Sequence, residues 1–390
     1  MRLALLFHNF GPYHLARLSA TIALGRQRGV TVFGVETVKN SDAYPWLTAA
    51  GEIRNHIYTL TPGLGQNDCN NGSIISQTWL ALNHLRPEAL AICGYDRWEM
   101  LTGVAWAKRS GRVVVFMSES KADDLPRNFL KETVKSCLVK RFDAALVGGT
   151  PHKDYAIALG IPPQRVFTGY DVVDNDHYAT GADAARSRTQ ALRQRLGLPR
   201  PCFLNVSRFV DKKNLFRLLE AYRIYRREIS ERPWDLVLCG SGPLEGNLRA
   251  AAADLPGVHF PGFKQADELP NYYGLASVFI IPSSHFEQWG LVVNEAMASG
   301  LPVLVSKACG CAQDLVQDGV NGCTFDPYDV DGLARLMMRM SSNDDLQAMG
   351  EASRRIIADW TPEIFAQNLF RAVEAAQEAK RSKSRWWGRA

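Results

Sequence analysis

The sequence has no long apolar run and no close set of metal-binding cysteines. Nowhere do 18 or more apolar residues follow one another, so no transmembrane helix is predicted. The short apolar run at the N-terminus is broken by His8 and Asn9, and no small-residue cleavage site follows, which favours a first strand over a signal peptide. The eight cysteines are scattered apart from Cys309 and Cys311, and a C-x-C pair is a poor metal signal. We expect reduced thiols and a cytoplasmic protein.

The chain also lacks a strong charge of one sign. A net charge of +5 and a pI near 8.7 are too weak to predict a nucleic-acid partner. The chain has no internal repeat and no extended low-complexity segment. Its 390 residues, 46% of them hydrophobic, suit a protein of two ordinary globular domains.

Short β-rich segments alternate with helical patterns along most of the chain. Examples are "RLALLF" and "RVVVFMS" in the first half, and "CFLNVSRF" and "SVFIIPS" in the second. This alternation predicts parallel strands joined by crossover helices. A polar segment without strand signals interrupts the pattern near residues 180–200, where we place the domain boundary. The predicted domains are 1–185 and 195–360, followed by a helix and basic tail at 361–390.

Two glutamates, Glu287 and Glu295, flank a glycine in "HFEQWGLVVNEAMASGLPV". This segment follows an apolar strand, and open α/β sheets bind ligands outside the carboxyl ends of their strands. A helix beginning near Leu291 would present the N–H groups of Gly290, Leu291 and Val292 to a phosphate. Carboxylates repel phosphate but accept hydrogen bonds from sugar hydroxyls, and a nucleotide-sugar offers both groups. The alternative is a loop charge and a solvated helix face.

Two further segments of the second half suit the same ligand. Arg208 and Lys213 in "NVSRFVDKKN" could clamp a diphosphate, or could belong to an ordinary basic loop. In "LVLCGSGPLEGNL", Gly240 and Gly242 form a tight turn between a strand and a helix. Such a turn allows close approach of a nucleotide, although a lone G-x-G is a weak motif.

Together these segments resemble the donor half of the retaining glycosyltransferases of family 4. The similarity covers roughly residues 200–330 and lies in "SRFVDKK", "LCGSGP", "VHFPGF" and "PSSHFEQWGLVVNEAMASGLPV". It implies the α/β GT-B fold, in which two Rossmann-like doubly wound domains face each other across a cleft. It also implies that the tail helix around residues 362–379 is a crossover helix that packs on the first domain.

The resemblance implies a role for each matching residue. Arg208 and Lys213 neutralise the donor diphosphate, and Glu287 contacts the transferred sugar, which makes these three the catalytic candidates. Glu295 holds the ribose hydroxyls. The other donor-side matches, at the glycine turn, the base and the helix start, are Gly242, Phe263, Lys264, Gly290, Leu291 and Val292. Two mild departures are Cys311, where the family usually has a second glycine, and Asp314, where it usually has glutamate.

The first half resembles the family only in architecture. Gly11 occupies the loop after the first strand, where the family has a glycine-rich loop at the sugar and acceptor. His14 faces the same cleft if the helix begins near Tyr13; the alternative is a satisfied surface or capping histidine. Many members carry a histidine after the fifth strand, whereas this chain has Glu119, which we expect to help orient the acceptor hydroxyl.

The family's reaction requires no cofactor and no metal. The donor phosphate is thought to take the acceptor proton, so the protein positions the substrates and stabilises the leaving diphosphate. The "DND" at Asp174–Asp176 resembles a metal motif of the other major glycosyltransferase fold, but it follows no strand that we can assign. We predict no metal site there.

The acceptor is less defined by the sequence. The segment "RNFLKETVKSCLVKRFD", which contains Lys131 and Lys135, predicts a basic amphipathic helix that could lie on an anionic membrane, or else an ordinary solvated helix face. We expect a saccharide or lipid-linked saccharide acceptor in bacterial polysaccharide or glycoconjugate synthesis, with a UDP- or GDP-sugar donor. The alternatives are a nucleotide-sugar epimerase of the same fold and a sugar-nucleotide-binding protein without turnover. An epimerase would convert the donor when no acceptor is present.

Overall fold

The computed structural model describes residues 1–39, 51–63, 70–124, 128–198, 201–229 and 231–387. They form two compact units, Met1–Val173 with Thr361–Ala390 (unit 1) and Asp174–Trp360 (unit 2). Within this described part, no helix combines the length and the apolar character that crossing a membrane requires.

The strands of the described residues, in chain order, are β1 (Arg2–Phe7), β2 (Thr31–Glu36), β3 (Ile57–Thr59), β4 (Ala89–Cys93), β5 (Val113–Ser118), β6 (Ala144–Val147), β7 (Val166–Thr168), β8 (Cys202–Val206), β9 (Asp235–Cys239), β10 (Val258–Gly262), β11 (Val278–Ile281), β12 (Val303–Ser306) and β13 (Gly322–Phe325). The α-helices are α1 (Pro12–Gln27), α2 (Asn71–Leu85), α3 (Trp98–Arg109), α4 (Phe129–Val139), α5 (Thr150–Ala158), α6 (Asn175–Arg186), α7 (Thr189–Leu196), α8 (Leu215–Glu228), α9 (Glu245–Ala251), α10 (Leu269–Leu275), α11 (Leu291–Ala298), α12 (Ala312–Leu315), α13 (Val330–Ser341), α14 (Leu346–Ile357) and α15 (Pro362–Trp387).

Each unit is built on one parallel sheet. The strand order is β3-β2-β1-β4-β5-β6-β7 in unit 1 and β10-β9-β8-β11-β12-β13 in unit 2. Parallel sheets are covered by helices on both faces, so their strands are continuous apolar runs; β5, "VVVFMS", is buried at every position. In both sheets the chain runs outward from a central strand and then returns to its other side. This reversal between β1 and β4, and between β8 and β11, creates the crevice where such sheets bind ligands.

Helix α15 belongs to unit 1, where it packs against α1 and the strands β5, β6 and β7. Its buried apolar face includes Phe365, Leu369 and Val373. The C-terminal helix therefore completes the core of the sheet formed by the N-terminal half of the chain.

Helix α6 groups with unit 2, whereas the sequence analysis assigned residues up to 185 to the first domain. The reason is a close helix pair. A Cβ at Gly181 of α6 would lie 2.5 Å from Pro270 Cβ of α10, and one at Gly274 of α10 would lie 2.6 Å from the carbonyl oxygen of Ala182. Glycines on both helices thus allow their backbones to approach each other, and this contact cannot be read from the polar sequence of α6.

The "DND" segment has a structural role in this fold. Asp174 is the N-cap of α6, and its carboxylate accepts a hydrogen bond from the His177 backbone N–H at 3.0 Å. Such a cap pairs one of the N–H groups that a helix start leaves without a helical partner.

Candidate functional site

The candidate site of unit 2 lies where its strand order reverses. β8 and β11 are adjacent and parallel, so the segments that follow them leave the sheet side by side. Arg208 follows β8 and Glu287 follows β11. The topology therefore brings together two segments that the sequence analysis had singled out separately.

Lys213 and Glu287 form a largely buried ion pair at this edge. Lys213 Nζ donates a hydrogen bond to Glu287 Oε2, and Ser283 Oγ donates to the same oxygen at 2.8 Å. The side chains are only 12% and 10% exposed. Burial alone would raise the pKa of Glu287, but the charges of Lys213 and Lys212 and the two hydrogen bonds lower it. Glu287 is therefore an ionised carboxylate, and its Oε1 accepts no hydrogen bond from the described residues.

The loop that carries Lys213 is tied to the end of β11. Asn214, which follows Lys213, adopts a left-handed conformation with φ of 57°. Its side-chain Nδ2 donates to the carbonyl oxygens of Pro282 at 3.0 Å and Pro327 at 2.8 Å. These bonds fix the position of the Lys213 backbone next to Glu287, so the cation is held in place independently of any ligand.

The helix start predicted near Leu291 is present. α11 begins at Leu291, and Gly290 precedes it with φ of 105°, a left-handed conformation that favours glycine. Around it, Gly310 N–H donates to Glu287 O at 3.0 Å and Cys311 N–H donates to Trp289 O at 3.2 Å. These two backbone bonds hold the Glu287 loop in place, and they do not depend on the side chain of Cys311.

Glu295 lies in the body of α11 and is fully buried. Tyr273 Oη of α10, which is also buried, donates to Glu295 Oε2 at 2.6 Å. The sequence analysis assigned Glu295 to the ribose hydroxyls of the donor. Its burial follows from the helix itself, because α11 is buried at each position from Val293 to Ala298 and packs against α6 and α14.

The glycine turn after β9 contacts the chain's own backbone. Gly240 has a φ of 148°, and a Cβ added there would lie 1.8 Å from Ser207 O. Gly242 has a φ of 156°, and a Cβ added there would lie 2.6 Å from Phe209 O. The sequence analysis related this turn to approach of a nucleotide. In the structure, the space that a side chain would need is filled by residues 207–209, so the turn also supports the backbone that carries Arg208.

Other predicted residues take the following places. Phe263 and Lys264 follow β10, the edge strand of the sheet. The Lys264 Nζ atom lies 4.0 Å from Glu268 Oε1 and 5.7 Å from the centroid of the Tyr272 ring. Arg208 is exposed. Leu291 and Val292 are the first two residues of α11.

The unit 1 candidates follow the carboxyl ends of β1 and β5. Gly11 is the N-cap of α1. The ring of His14 lies 4.4 Å from that of Phe7, and burial together with the charge of Arg17 lowers the pKa of His14 to about 3, so this imidazole is neutral. Glu119 follows β5. Burial raises the pKa of the nearby Asp171 carboxyl, and the charge of Glu119 raises it further.

The sequence analysis missed several partners of the site. Ser283 and Tyr273 bind the two glutamates, and Asn214 holds the Lys213 loop. Tyr273 and Asn214 stand at no recognisable spacing from their partners, because these contacts join different elements of the fold, whereas Ser283 lies four residues before Glu287 in the same loop. The pairing of Lys213 with Glu287 had no sequence signal either.

Comparison with known proteins identifies the family of unit 2. Residues 189–356 match the family described as glycosyl transferases group 1. This segment is a group 1 glycosyltransferase domain. It lies entirely within unit 2 and contains the strand order reversal, the Lys213–Glu287 pair and α11.

Curated relatives of the group 1 domain are similar over part of the chain. The GDP-mannose-dependent alpha-(1-6)-phosphatidylinositol monomannoside mannosyltransferase of Mycolicibacterium smegmatis is 31% identical over 222 residues, which are 54% of this chain and 56% of that protein. Mannosylfructose-phosphate synthase of Agrobacterium fabrum is 29% identical over 334 residues, 79% of this chain and 70% of the synthase. This chain thus spans about half the length of the mycobacterial relative.

Solved structures are similar over nearly the whole chain. A glycosyltransferase from Rickettsia africae superposes with a TM-score of 0.72 at 13% identity, covering 96% of this chain and 98% of that one. Anabaena Alr3699/HepE, solved in complex with UDP, superposes with a TM-score of 0.67 at 18% identity, covering 98% and 100%. Together with the two parallel sheets, these matches confirm the predicted α/β fold class, with two Rossmann-like units of the GT-B type.

Proposed function

We propose that this protein transfers a sugar from a UDP- or GDP-sugar to a saccharide or lipid-linked saccharide acceptor with retention of configuration, in polysaccharide or glycoconjugate synthesis. The observation that carries the proposal is the buried Lys213–Glu287 pair beside the left-handed entry to α11, in a group 1 glycosyltransferase domain. Relatives whose names specify a GDP-mannose donor, and the similar structure bound to UDP, support a nucleotide-sugar donor.

The proposed roles follow from charge and geometry. The N–H groups at the start of α11 and the cations Arg208 and Lys213 stabilise the negative charge that develops on the leaving diphosphate. Because this positive field comes from the protein, our proposal requires no metal. Ionised Glu287 accepts a hydrogen bond from a hydroxyl of the transferred sugar through Oε1. For Glu295 we propose ribose binding. Its carboxylate would give up the hydrogen bond from Tyr273 and would accept hydrogen bonds from the ribose hydroxyls instead.

The donor site can be tested by thermal stabilisation with UDP, GDP and ADP, each with and without EDTA. We expect one nucleotide to raise the melting temperature equally in both conditions, because binding to the native state adds about 2.7 kcal/mol at one hundred times Kd. Arg208→Ala should weaken this nucleotide about tenfold to a hundredfold, since a charge-assisted hydrogen bond contributes about 1.5–3 kcal/mol.

Arg227→Ala is the matched control, because Arg227 is 74% exposed near the end of α8 and, among the described residues, its only salt bridge is with its neighbour Glu228. It should bind the nucleotide as the wild type does. Absence of a shift with all three nucleotides would contradict the proposed donor site. A shift that disappears with EDTA would contradict its metal independence.

We also propose that helix α4 contacts an anionic membrane. Three of its apolar side chains are largely exposed, Phe129 at 84%, Leu130 at 74% and Val134 at 60%. Lys131 is exposed beside them, and Lys140 and Arg141 follow at the end of the helix. An exposed apolar face bordered by cations is typical of helices that lie in a membrane interface.

The structure sharpens the choice of variants for this contact. Lys135 is bound to Glu132 at 2.9 Å and to Tyr155 at 3.2 Å, so changing it would break these two contacts as well as remove a charge. We expect Phe129→Ser with Leu130→Ser to reduce sedimentation with vesicles containing phosphatidylglycerol by at least about tenfold, because each buried apolar side chain contributes about 1.5–3 kcal/mol. Leu80→Ser, at a 61% exposed position of α2, is the control. Undiminished binding of the double variant would contradict this contact.

A further inference from the structure

Lys212 is a lysine of unit 2 to which the proposed donor chemistry gives no role, and it binds the loop that carries Glu287 at two points. Its Nζ atom donates a hydrogen bond to the Phe286 carbonyl oxygen at 3.0 Å. Its own carbonyl oxygen accepts a hydrogen bond from the Ser284 backbone N–H at 2.9 Å. Because the amino group is charged, the bond to Phe286 is of the stronger, charge-assisted kind. The Glu287 loop is therefore held by a side chain as well as by backbone.

Phe286 has a backbone conformation that its side chain disfavours. Its φ is 52°, in the left-handed region, where a residue with a bulky side chain is an outlier. Such a conformation carries a cost in free energy, persists only where neighbouring groups hold it, and is concentrated at functional sites. The atom that Lys212 binds is the carbonyl oxygen of this strained residue. The lysine thus acts at the point of the loop where strain opposes the observed shape.

The bond from Lys212 acts on the orientation of Glu287. The Phe286 carbonyl and the Glu287 N–H belong to one planar peptide group, so fixing the oxygen fixes the plane from which the glutamate departs. The carbonyl oxygen of Glu287 itself accepts a hydrogen bond from the Gly310 backbone N–H at 3.0 Å. The carbonyl before the carboxylate is thus held by a side chain, and the carbonyl after it is held by backbone.

The direction of the second carboxylate oxygen of Glu287 depends on this support. Oε2 accepts hydrogen bonds from Lys213 and Ser283, and the proposed function assigns Oε1 to the transferred sugar. A carboxylate is planar, so the direction of Oε1 is set by the place of Oε2 and by the backbone from which the side chain departs. Burial would raise the pKa of Glu287, but the charges of Lys213 and Lys212 lower it, so the oriented group is an anion.

We propose that Lys212 is the positioning residue for the sugar end of the donor site: by holding Phe286 in its left-handed conformation, it aims Glu287 Oε1 at a hydroxyl of the transferred sugar. The inference rests on the proposed function and gives two adjacent lysines different roles. Lys212 binds protein backbone and acts through Glu287, whereas Lys213 stabilises the leaving diphosphate. Nothing in the sequence "DKK" distinguishes the two lysines, because the distinction lies in the atoms that each one reaches.

Binding of a nucleotide-sugar compared with binding of its nucleotide tests this role. The probes are GDP-mannose with GDP and UDP-glucose with UDP, measured by isothermal titration calorimetry. In Lys212→Met, affinity for the nucleotide-sugar should fall about tenfold further than affinity for the nucleotide, the size expected when one hydrogen bond to a charged group is lost. In a Glu287→Gln background, Lys212→Met should add no such difference, since Lys212 acts through Glu287. Arg335→Met, at a 66% exposed cation of α13 in the same unit, is the control and should bind both ligands as the wild type does.

A second substitution separates positioning from charge. Glycine adopts the left-handed conformation without the cost that a side chain brings. Lys212→Met with Phe286→Gly should therefore recover most of the nucleotide-sugar affinity that Lys212→Met loses, although the charge is still missing. A double variant that binds no better than Lys212→Met would overturn the inference. Equal losses for nucleotide and nucleotide-sugar in Lys212→Met would also overturn it, because Lys212 would then bind the diphosphate, and so would the absence of any loss.

The conformation of Phe286 is tested without any ligand. In protein labelled with ¹⁵N-phenylalanine, a left-handed residue gives a strong Overhauser signal between its own N–H and Hα, because these protons are close in that conformation. The Phe286 signal is identified by its absence in Phe286→Gly. We expect it in the wild type and expect it to weaken in Lys212→Met. A signal of full strength in Lys212→Met would overturn the inference and leave the proposed function intact. A wild type that binds neither nucleotides nor nucleotide-sugars would overturn both.

Discussion

Lys213→Met is expected to destabilise the protein by about 3–5 kcal/mol at neutral pH, because it leaves the buried carboxylate of Glu287 without its cation. The double variant Lys213→Met with Glu287→Gln should recover most of this loss, since it removes both charges. Urea unfolding followed by tryptophan fluorescence measures the difference, and Trp289 of the same loop is buried. Transfer activity should fall at least about a hundredfold in both variants, because both lack the cation at the diphosphate.

The pH dependence distinguishes a lost ion pair from a general packing defect. In the wild type the pKa of Glu287 is lowered, so the pair stabilises the protein above the usual pKa of glutamate and this contribution is lost as the pH falls through the lowered value. In Lys213→Met, burial without the cation raises the pKa of Glu287, so protonation on acidification relieves the cost. The stability gap between the two proteins should therefore narrow as the pH falls from 7 towards 5. A gap that does not change with pH, or a double variant as unstable as the single one, would contradict this account.

Gly240→Ala is expected to destabilise the protein by about 3 kcal/mol or more. The added Cβ would stand 1.8 Å from Ser207 O, a backbone atom that cannot move without disturbing the end of β8. A φ of 148° is also strained for any residue with a side chain. Because the displaced backbone carries Arg208, nucleotide binding should weaken as well. Thermal unfolding with and without the nucleotide measures both effects.

Gly246→Ala is the control for this prediction. Gly246 lies in α9, where a Cβ would meet nothing within 4 Å. Alanine favours a helix over glycine by up to about 1 kcal/mol, so this variant should be as stable as the wild type or slightly more stable. Equal stabilities of the two alanine variants would show that the turn after β9 yields to a side chain, and the explanation given for Gly240 would be wrong.

The fold class could be predicted because its physical causes are local. Parallel strands covered on both faces require continuous apolar runs, such as β5 and β11, and the helices between them show their own period. The start of α11 was predictable for a similar reason, since Gly290 can adopt the left-handed conformation that opens the helix. The sequence analysis placed α6 in the first domain, whereas in the structure α6 belongs to unit 2. Its packing against α10 decides this, and the composition of α6 gives no sign of that contact.

The sequence by itself determined the alternation of strands and helices and the residues of the motifs, because backbone preference and burial act on neighbouring residues. Only the tertiary structure decided which charges meet. It paired Lys213 with Glu287, buried Glu295 against Tyr273, and filled the space at Gly240 with the backbone of Ser207. It also placed the amino group of Lys212 on the carbonyl oxygen of Phe286. Each of these contacts joins segments far apart in the chain, and their distance is set by strand order and helix packing, which leave no local pattern.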